Sequence, residues 1–149
     1  MLHQQKNKNI SHCFILKSDH QLIKFDYDDV VYVKADGNYS IIYLKNHAKH
    51  LLYHSLKEFE KELPANIFYR CHRSYIVNVV LISAFCIQDN RIFCSDHDIE
   101  ILCSRRAKKE LIKRFREINS AAWFQLTSLS DYSSLNRIPV VFSLWLARN

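Results

Sequence analysis

Apolar and polar residues alternate in short runs along the first hundred positions of the chain, and a period of two marks strands with one buried face. The β-branched and aromatic segments between polar turns predict strands near 13–17, 21–25, 30–34, 39–44, 49–53, 75–77, 81–88, 91–95 and 99–103. Asp36-Gly37-Asn38, which holds the only glycine in the protein, falls between the third and fourth of these. Glycine takes positive φ without steric cost, so this tripeptide reads as a loop joining adjacent strands and displaying Asn38 and Tyr39 at its exit.

The period lengthens in two places. Ser55-Leu56-Lys57-Glu58 fits a capping box, Leu56, Phe59 and Leu63 share one helical face, and Pro64 ends the segment. A second helix is predicted over 105–118, with Ser104 as its cap and Ala107, Leu111, Phe115 and Ile118 on the inner stripe. Its outer face is basic: from Arg105 to Glu117 there are seven Lys or Arg against two Glu. After Asn119 the composition shifts to few charges, with both tryptophans, Trp123 and Trp145, and an apolar run over 138–146 that is too short to cross a bilayer. That tail reads equally as a cover strand, an oligomerisation segment or a poorly ordered end. The chain therefore divides into an N-terminal extension (1–12), one mainly β domain with two helices (13–117) and a C-terminal tail (118–149).

Composition narrows the class. A chain of 149 residues, 48% of them hydrophobic, suits one domain with a real core. The 24% charged residues are spread widely, which argues against both disorder and a membrane protein. The polar opening MLHQQKNKNISH lacks the apolar centre of a signal peptide, so a cytoplasmic protein without direct membrane insertion is expected. Five cysteines, odd in number and never in a CxxC spacing, read as reduced thiols packed in strands. A net charge of +6 and a pI near 9.1 favour an anionic partner.

The stretch FYRCHRSYIVN (68–78) concentrates the candidate chemistry. Cys71 and His72 are adjacent, which on a strand sends them to opposite faces, and no ladder of metal ligands accompanies them; no metal is expected. A single glycine excludes glycine-rich phosphate loops, and no HExxH or GxSxG motif occurs, so neither catalysis nor a cofactor is expected. Nucleic-acid binding draws on more. Arg70 and Arg73 resist burial without a partner, so at least one should reach the surface near His72 and Ser74 with donors suited to phosphates or base edges. Ser104-Arg105-Arg106 adds a second donor set at the opening of the basic helix. Two plainer readings compete: an ion pair of Arg73 with Asp36 or Asp98, and a helix face that is merely solvated.

The segments DDVVYVKADGNYSIIYL, HSLKEFEKELP, FYRCHRSYIVN and CSRRAKKEL resemble, in order and spacing, the motifs of the LytTR-type DNA-binding domain of bacterial transcription regulators, over about residues 13–116. The resemblance implies an elongated, mainly β fold of several sheets with two helices, in which loops, not a helix-turn-helix, meet double-stranded DNA. It assigns base contacts to Asn38, Arg73 and Arg105. Backbone contacts would come from Tyr39, His72, Ser74, Ser104, Arg106, Lys108 and Lys109. It also implies paired DNA repeats, with two protomers per site. Many members carry a phosphoacceptor receiver domain, which the short segment before the first strand leaves no room for, so control is expected from expression level, a regulatory protein partner or the tail. A second reading is an interaction module whose basic helix binds an acidic protein.

One expectation goes beyond the resemblance. Cys71 precedes Arg73 by two residues and Cys103 precedes Arg105 by two, so on extended backbone each thiol shares a face with its arginine. Accessible, acidic thiols at Cys71 and Cys103 would make DNA binding redox-sensitive; two inert core cysteines are the competing reading.

Overall fold

The computed structural model describes residues 12–18, 20–94 and 97–128, with the side chains of 97–99 and 121–128 outside the description. Five antiparallel strands, β3 (Val30–Asp36), β4 (Tyr39–Leu44), β5 (Lys49–Leu52), β6 (Phe68–His72) and β7 (Tyr75–Asn78), form a central sheet in the order β5-β4-β3-β7-β6. β1 (Cys13–Ser18) and β2 (Gln21–Asp26) make a separate hairpin. β8 (Ile82–Cys86), β9 (Arg91–Cys94) and β10 (His97–Leu102) make a three-stranded sheet. Helix α1 (Leu56–Glu62) links β5 to β6, and α2 (Arg105–Ser128) follows β10. Three sheets and two α-helices among the described residues agree with the mainly β class expected.

The central sheet buries both faces. Against the first lie the β1–β2 hairpin and α1, through Leu16, Phe25, Val33, Ile42, Leu52, Leu56, Phe59 and Ile76. Against the second lie the three-stranded sheet and α2, through Tyr32, Tyr43, Val77, Ile92, Ile101, Ala107 and Leu111. β3 serves both faces. Its pairing with β4 shifts between Val30 and Tyr32, and such an irregularity lets Val31 and Tyr32 join one cluster while Val30 and Val33 join the other. Four apolar residues in a row are thereby all buried.

Local signals explain the elements. Gly37 opens the β3–β4 connection at φ +58°, in the left-handed region where side chains are strained. α1 carries the full capping box: the Glu58 amide donates to Ser55 Oγ at 3.3 Å, and the Ser55 amide donates to Glu58 Oε2 at 2.7 Å. Asn78, 1% exposed, pins the far end of β7. Its amide nitrogen donates to the carbonyls of Tyr27 and Val30, and its oxygen accepts from the Val80 amide.

Three expectations need correction. β6 is absent from the strands predicted by alternation, because arginine and histidine interrupt its apolar pattern. The strand expected over 81–88 is shorter: a 3-10 turn at Val79–Leu81, capped by Asn78, delays its start to Ile82, and a turn over 87–90 ends it at Cys86. α2 runs beyond Ile118 to Ser128: the change in composition removes charge, but no glycine or proline interrupts 119–128. The segment before residue 12 and the apolar run 138–146 with Trp145 lie outside the described residues, as does the side chain of Trp123.

Candidate nucleic-acid interface

Backbone hydrogen bonds gather three chain segments at one end of the central sheet. The first is the β3–β4 turn at Gly37 and Asn38. The second is the β6–β7 turn at Arg73 and Ser74. Lys34 pairs with Tyr75 across β3 and β7, and the Ala35 amide donates to the Ser74 carbonyl at 2.9 Å, which sets these turns side by side. The third is the start of α2, where the Ser104 amide donates to the Cys71 carbonyl at 2.8 Å. Ser104 also caps the helix, its Oγ accepting from the Ala107 amide at 3.2 Å.

The three residues expected to read bases, Asn38, Arg73 and Arg105, are all exposed. Asn38 and Arg73 line one open groove of about 520 Å³ together with Tyr39, Tyr53, Lys57 and Arg70. Arg105 is not among the residues lining it; what ties Arg105 to Arg73 is the Ser104–Cys71 bond. Neither arginine has an ion pair among the described residues, so the Arg73–Asp36 pair is not formed, and Asp98 has its side chain outside the description. Arg70 takes the structural role instead. Its guanidinium bonds Glu60 Oε2 at 3.0 Å and the Arg73 carbonyl at 3.1 Å.

The residues expected at the DNA backbone fall into three groups. Arg106 and Lys109 are exposed and without an ion pair among the described residues, and Tyr39 is 45% exposed, its ring edge-on to that of Tyr53 at 5.4 Å. His72, Ser74 and Ser104 are half-buried. His72 Nδ1 accepts from the Ser74 amide at 3.2 Å, so in the neutral ring Nε2 carries the proton and is the donor left over. Lys108, half-buried, is held by an intramolecular bond, its ammonium 2.5 Å from the Ile87 carbonyl.

Two features of the site escape the sequence reading. Tyr53 is 78% exposed beside Asn38 and Arg73 in the groove. Alternation in KHLLY carries the signal, since it puts Tyr53 on the face of Lys49 and Leu51. Arg114, counted in the basic face of α2, is spent on packing: it lies 4.7 Å over the Tyr69 ring, pairs with Glu110 at 2.8 Å and bonds the Ala65 carbonyl.

The premise of the redox expectation, accessible and acidic thiols on extended backbone, is not met. β6 pairs irregularly with β7 between Tyr69 and His72, and Arg73 lies in the turn beyond, so the extended-backbone premise fails there; Ser104 turns the chain into a helix at the other site. Cys71 is fully buried and Cys103 is 6% exposed. Burial raises both thiols, Cys103 up to about 11 even with Lys108 pulling the other way, and Cys71 further. Thiols this far from ionising are poor nucleophiles. Among the described residues no group of three His, Cys, Asp or Glu is placed to hold a metal, and no helix is long and apolar enough to cross a membrane.

An antiparallel β scaffold thus presents turns and a helix start that carry exposed arginines without an ion pair among the described residues, an architecture distinct from the helix-turn-helix. The family model of the LytTr DNA-binding domain matches residues 20–116, and the chain belongs to that family. Transcriptional regulatory protein YpdB of Escherichia coli is 29% identical to it over 98 residues, which make up 64% of this chain and 40% of that protein. The chain thus spans less than half the length of this regulator. The LytTr DNA-binding domain of a Bacillus cereus protein, described as a methyl-accepting/DNA response regulator, superposes with a TM-score of 0.55. The two are 25% identical, and the match covers 72% of this chain and 96% of that domain.

Proposed function

We propose that this chain binds double-stranded DNA in a sequence-specific manner and regulates transcription. Arg73 and Arg105 each offer the paired donors that guanine O6 and N7 accept, and Asn38 offers the donor and acceptor that match adenine N6 and N7. Arg106, Lys109, Tyr39, Ser74, Ser104 and the free nitrogen of His72 then meet phosphates, which orient the module without reading sequence. The domain boundaries proposed are 13–117, with two copies on paired repeats. The observation that supports this reading is that three exposed side chains, none with an ion pair among the described residues, stand on segments joined by the Ala35–Ser74 and Ser104–Cys71 backbone bonds.

Selection of bound duplexes from a random pool tests it, followed by a salt titration on the winner. A preferred duplex should emerge that binds on the order of 10³-fold more tightly than random sequence. Its affinity should fall by about 0.9 decade per decade of salt for each phosphate neutralised. A pool that stays random, with an acidic protein binding the α2 face instead, would replace this reading with that of a protein-interaction module.

A further inference from the structure

We propose that Arg70 is a positioning residue that fixes the aim of Arg73, through a brace running from Glu60 on α1 to the β6–β7 turn. The inference rests on the base-reading role proposed for Arg73. Arg73 and Ser74 form a two-residue turn closed by the His72–Tyr75 pair. Three hydrogen bonds hold its backbone. The Ser74 carbonyl accepts from Ala35 on β3 at 2.9 Å. The Ser74 amide donates to His72 Nδ1 at 3.2 Å. The Arg73 carbonyl accepts from Arg70 Nη2 at 3.1 Å, while Nη1 of the same guanidinium is held by Glu60 at 3.0 Å.

The division of labour between the two arginines follows from these contacts. A guanidinium is a planar fork, so anchoring one arm on Glu60 sets the direction of the other. Arg70 therefore presents a fixed donor to the Arg73 carbonyl, and the α1 helix is coupled to the turn through it. The register of β6 on β7 shifts between Tyr69 and His72, where regular ladder bonds do not hold the strand. A donor from a side chain substitutes for them at the point where the turn leaves the sheet. With its backbone held, the Arg73 side chain stays exposed and lines the groove beside Asn38. Less freedom in the turn means less to lose when Arg73 docks against a base.

Arg70→Gln and Glu60→Gln test the brace in two arms. In the free protein, both variants should keep the wild-type melting temperature within a few degrees while amide exchange quickens in residues 72–75. Unchanged exchange in both overturns the brace whatever the DNA result. On DNA, both should lose about tenfold in affinity for the selected duplex while binding random duplex within about twofold of wild type. The salt slope should stay the same. Glu60→Gln is the decisive variant because it frees a cation. If Arg70 were a phosphate contact, freeing it would leave or raise affinity on every duplex, and Arg70→Gln would lower the salt slope by about one. Either result overturns the positioning role. In an Arg73→Ala background, Arg70→Gln should cost nothing further, since it acts through the missing side chain; an additive loss also overturns it. Should wild type prefer no duplex at all, the proposed function fails along with the base-reading consequence, while the exchange arm still decides whether the brace holds the turn.

Discussion

The Ser104 amide donates to the Cys71 carbonyl at 2.8 Å, which places the start of α2 against the end of β6. Arg105 follows the donor by one residue and Arg73 follows the acceptor by two. The Ser104–Cys71 bond thus helps set the spacing of the two arginines, alongside the packing of Cys71, Cys103 and Ala107 in one core cluster. Replacing either should cost about 1–3 kcal/mol on the selected duplex and flatten discrimination at a different base pair for each. Competition binding against single-substitution duplexes reads both effects. Identical specificity profiles for Arg73→Ala, Arg105→Ala and wild type, with folding intact, would remove the base-reading assignments.

Engagement with the rest of the protein separates the cations of α2. Arg106 and Lys109 are exposed and unpaired among the described residues, whereas Lys108 is held at the Ile87 carbonyl. Arg106→Ala and Lys109→Ala should each weaken target and random duplexes alike and lower the salt slope by about one. Lys108→Ala should change that slope less and instead loosen the β8–β9 turn. Binding measured over a range of salt concentrations orders the three variants, and equal slopes for all would refute the distinction.

Local grammar made much of this fold legible in the chain. The Asp36-Gly37 turn, the Ser55–Glu58 box and the Ser104 cap each depend on neighbours a few residues apart, and each stands where it was expected. Pairings over long distances left no such trace. That β7 inserts beside β3, which sets Asn38 near Arg73, follows from burial on both faces of one sheet. Irregular pairing near Val30 and between Tyr69 and His72 breaks the period of two, which is why strict alternation wrongly puts Cys71 on the face of Arg73. Nor does counting charges distinguish Arg114, spent on Tyr69 and Glu110, from Arg106.

Burial orders the cysteines by reactivity. Cys71, Cys94 and Cys103 are buried with raised thiols, Cys94 up to about 12, whereas Cys13 and Cys86 are half-buried. Brief iodoacetamide treatment of native protein at neutral pH should label Cys13 and Cys86 first, as resolved by peptide mass spectrometry. DNA affinity should be unaltered by that labelling. Early modification of Cys71 or Cys103 would restore the redox reading.

Hydrogen bonds from the Ser55 hydroxyl and amide hold the Glu58 carboxylate below its ordinary range. A carboxylate depressed by folding adds stability that is complete above its unfolded value, about 4.5, and is lost as pH falls through the lower folded value. Glu58→Gln should therefore narrow the stability gap to wild type as the medium is acidified below that point. Ser55→Ala, which removes the cap itself, should cost about 1 kcal/mol at neutral pH. Urea melts at several pH values measure both; a wild-type to Glu58→Gln difference that is constant with pH would mean the box does not form.

Asn78 tests how far the β3–β4 and β6–β7 turns depend on the opposite end of β7. Its side chain is buried and spends both donors on the carbonyls of Tyr27 and Val30, at 3.0 and 2.9 Å, and its acceptor on the Val80 amide at 3.1 Å. It thereby joins the end of the β1–β2 hairpin, the start of β3 and the 3-10 turn after β7. Alanine there leaves buried carbonyls and an amide unsatisfied, which should cost about 2–3 kcal/mol. Aspartate keeps the acceptor for Val80 but turns a negative carboxylate toward two carbonyls, so Asn78→Asp should be at least as destabilising at neutral pH and recover partly when the carboxyl is protonated. Because β3 leads to the Asn38 turn and β7 leads from the Arg73 turn, both at the end of the sheet away from Asn78, the surviving folded fraction should still prefer the same duplex: the loss falls on stability and not on base choice. Equal unfolding midpoints for Asn78→Asp and wild type at neutral pH would show that the amide donors do not hold these elements together.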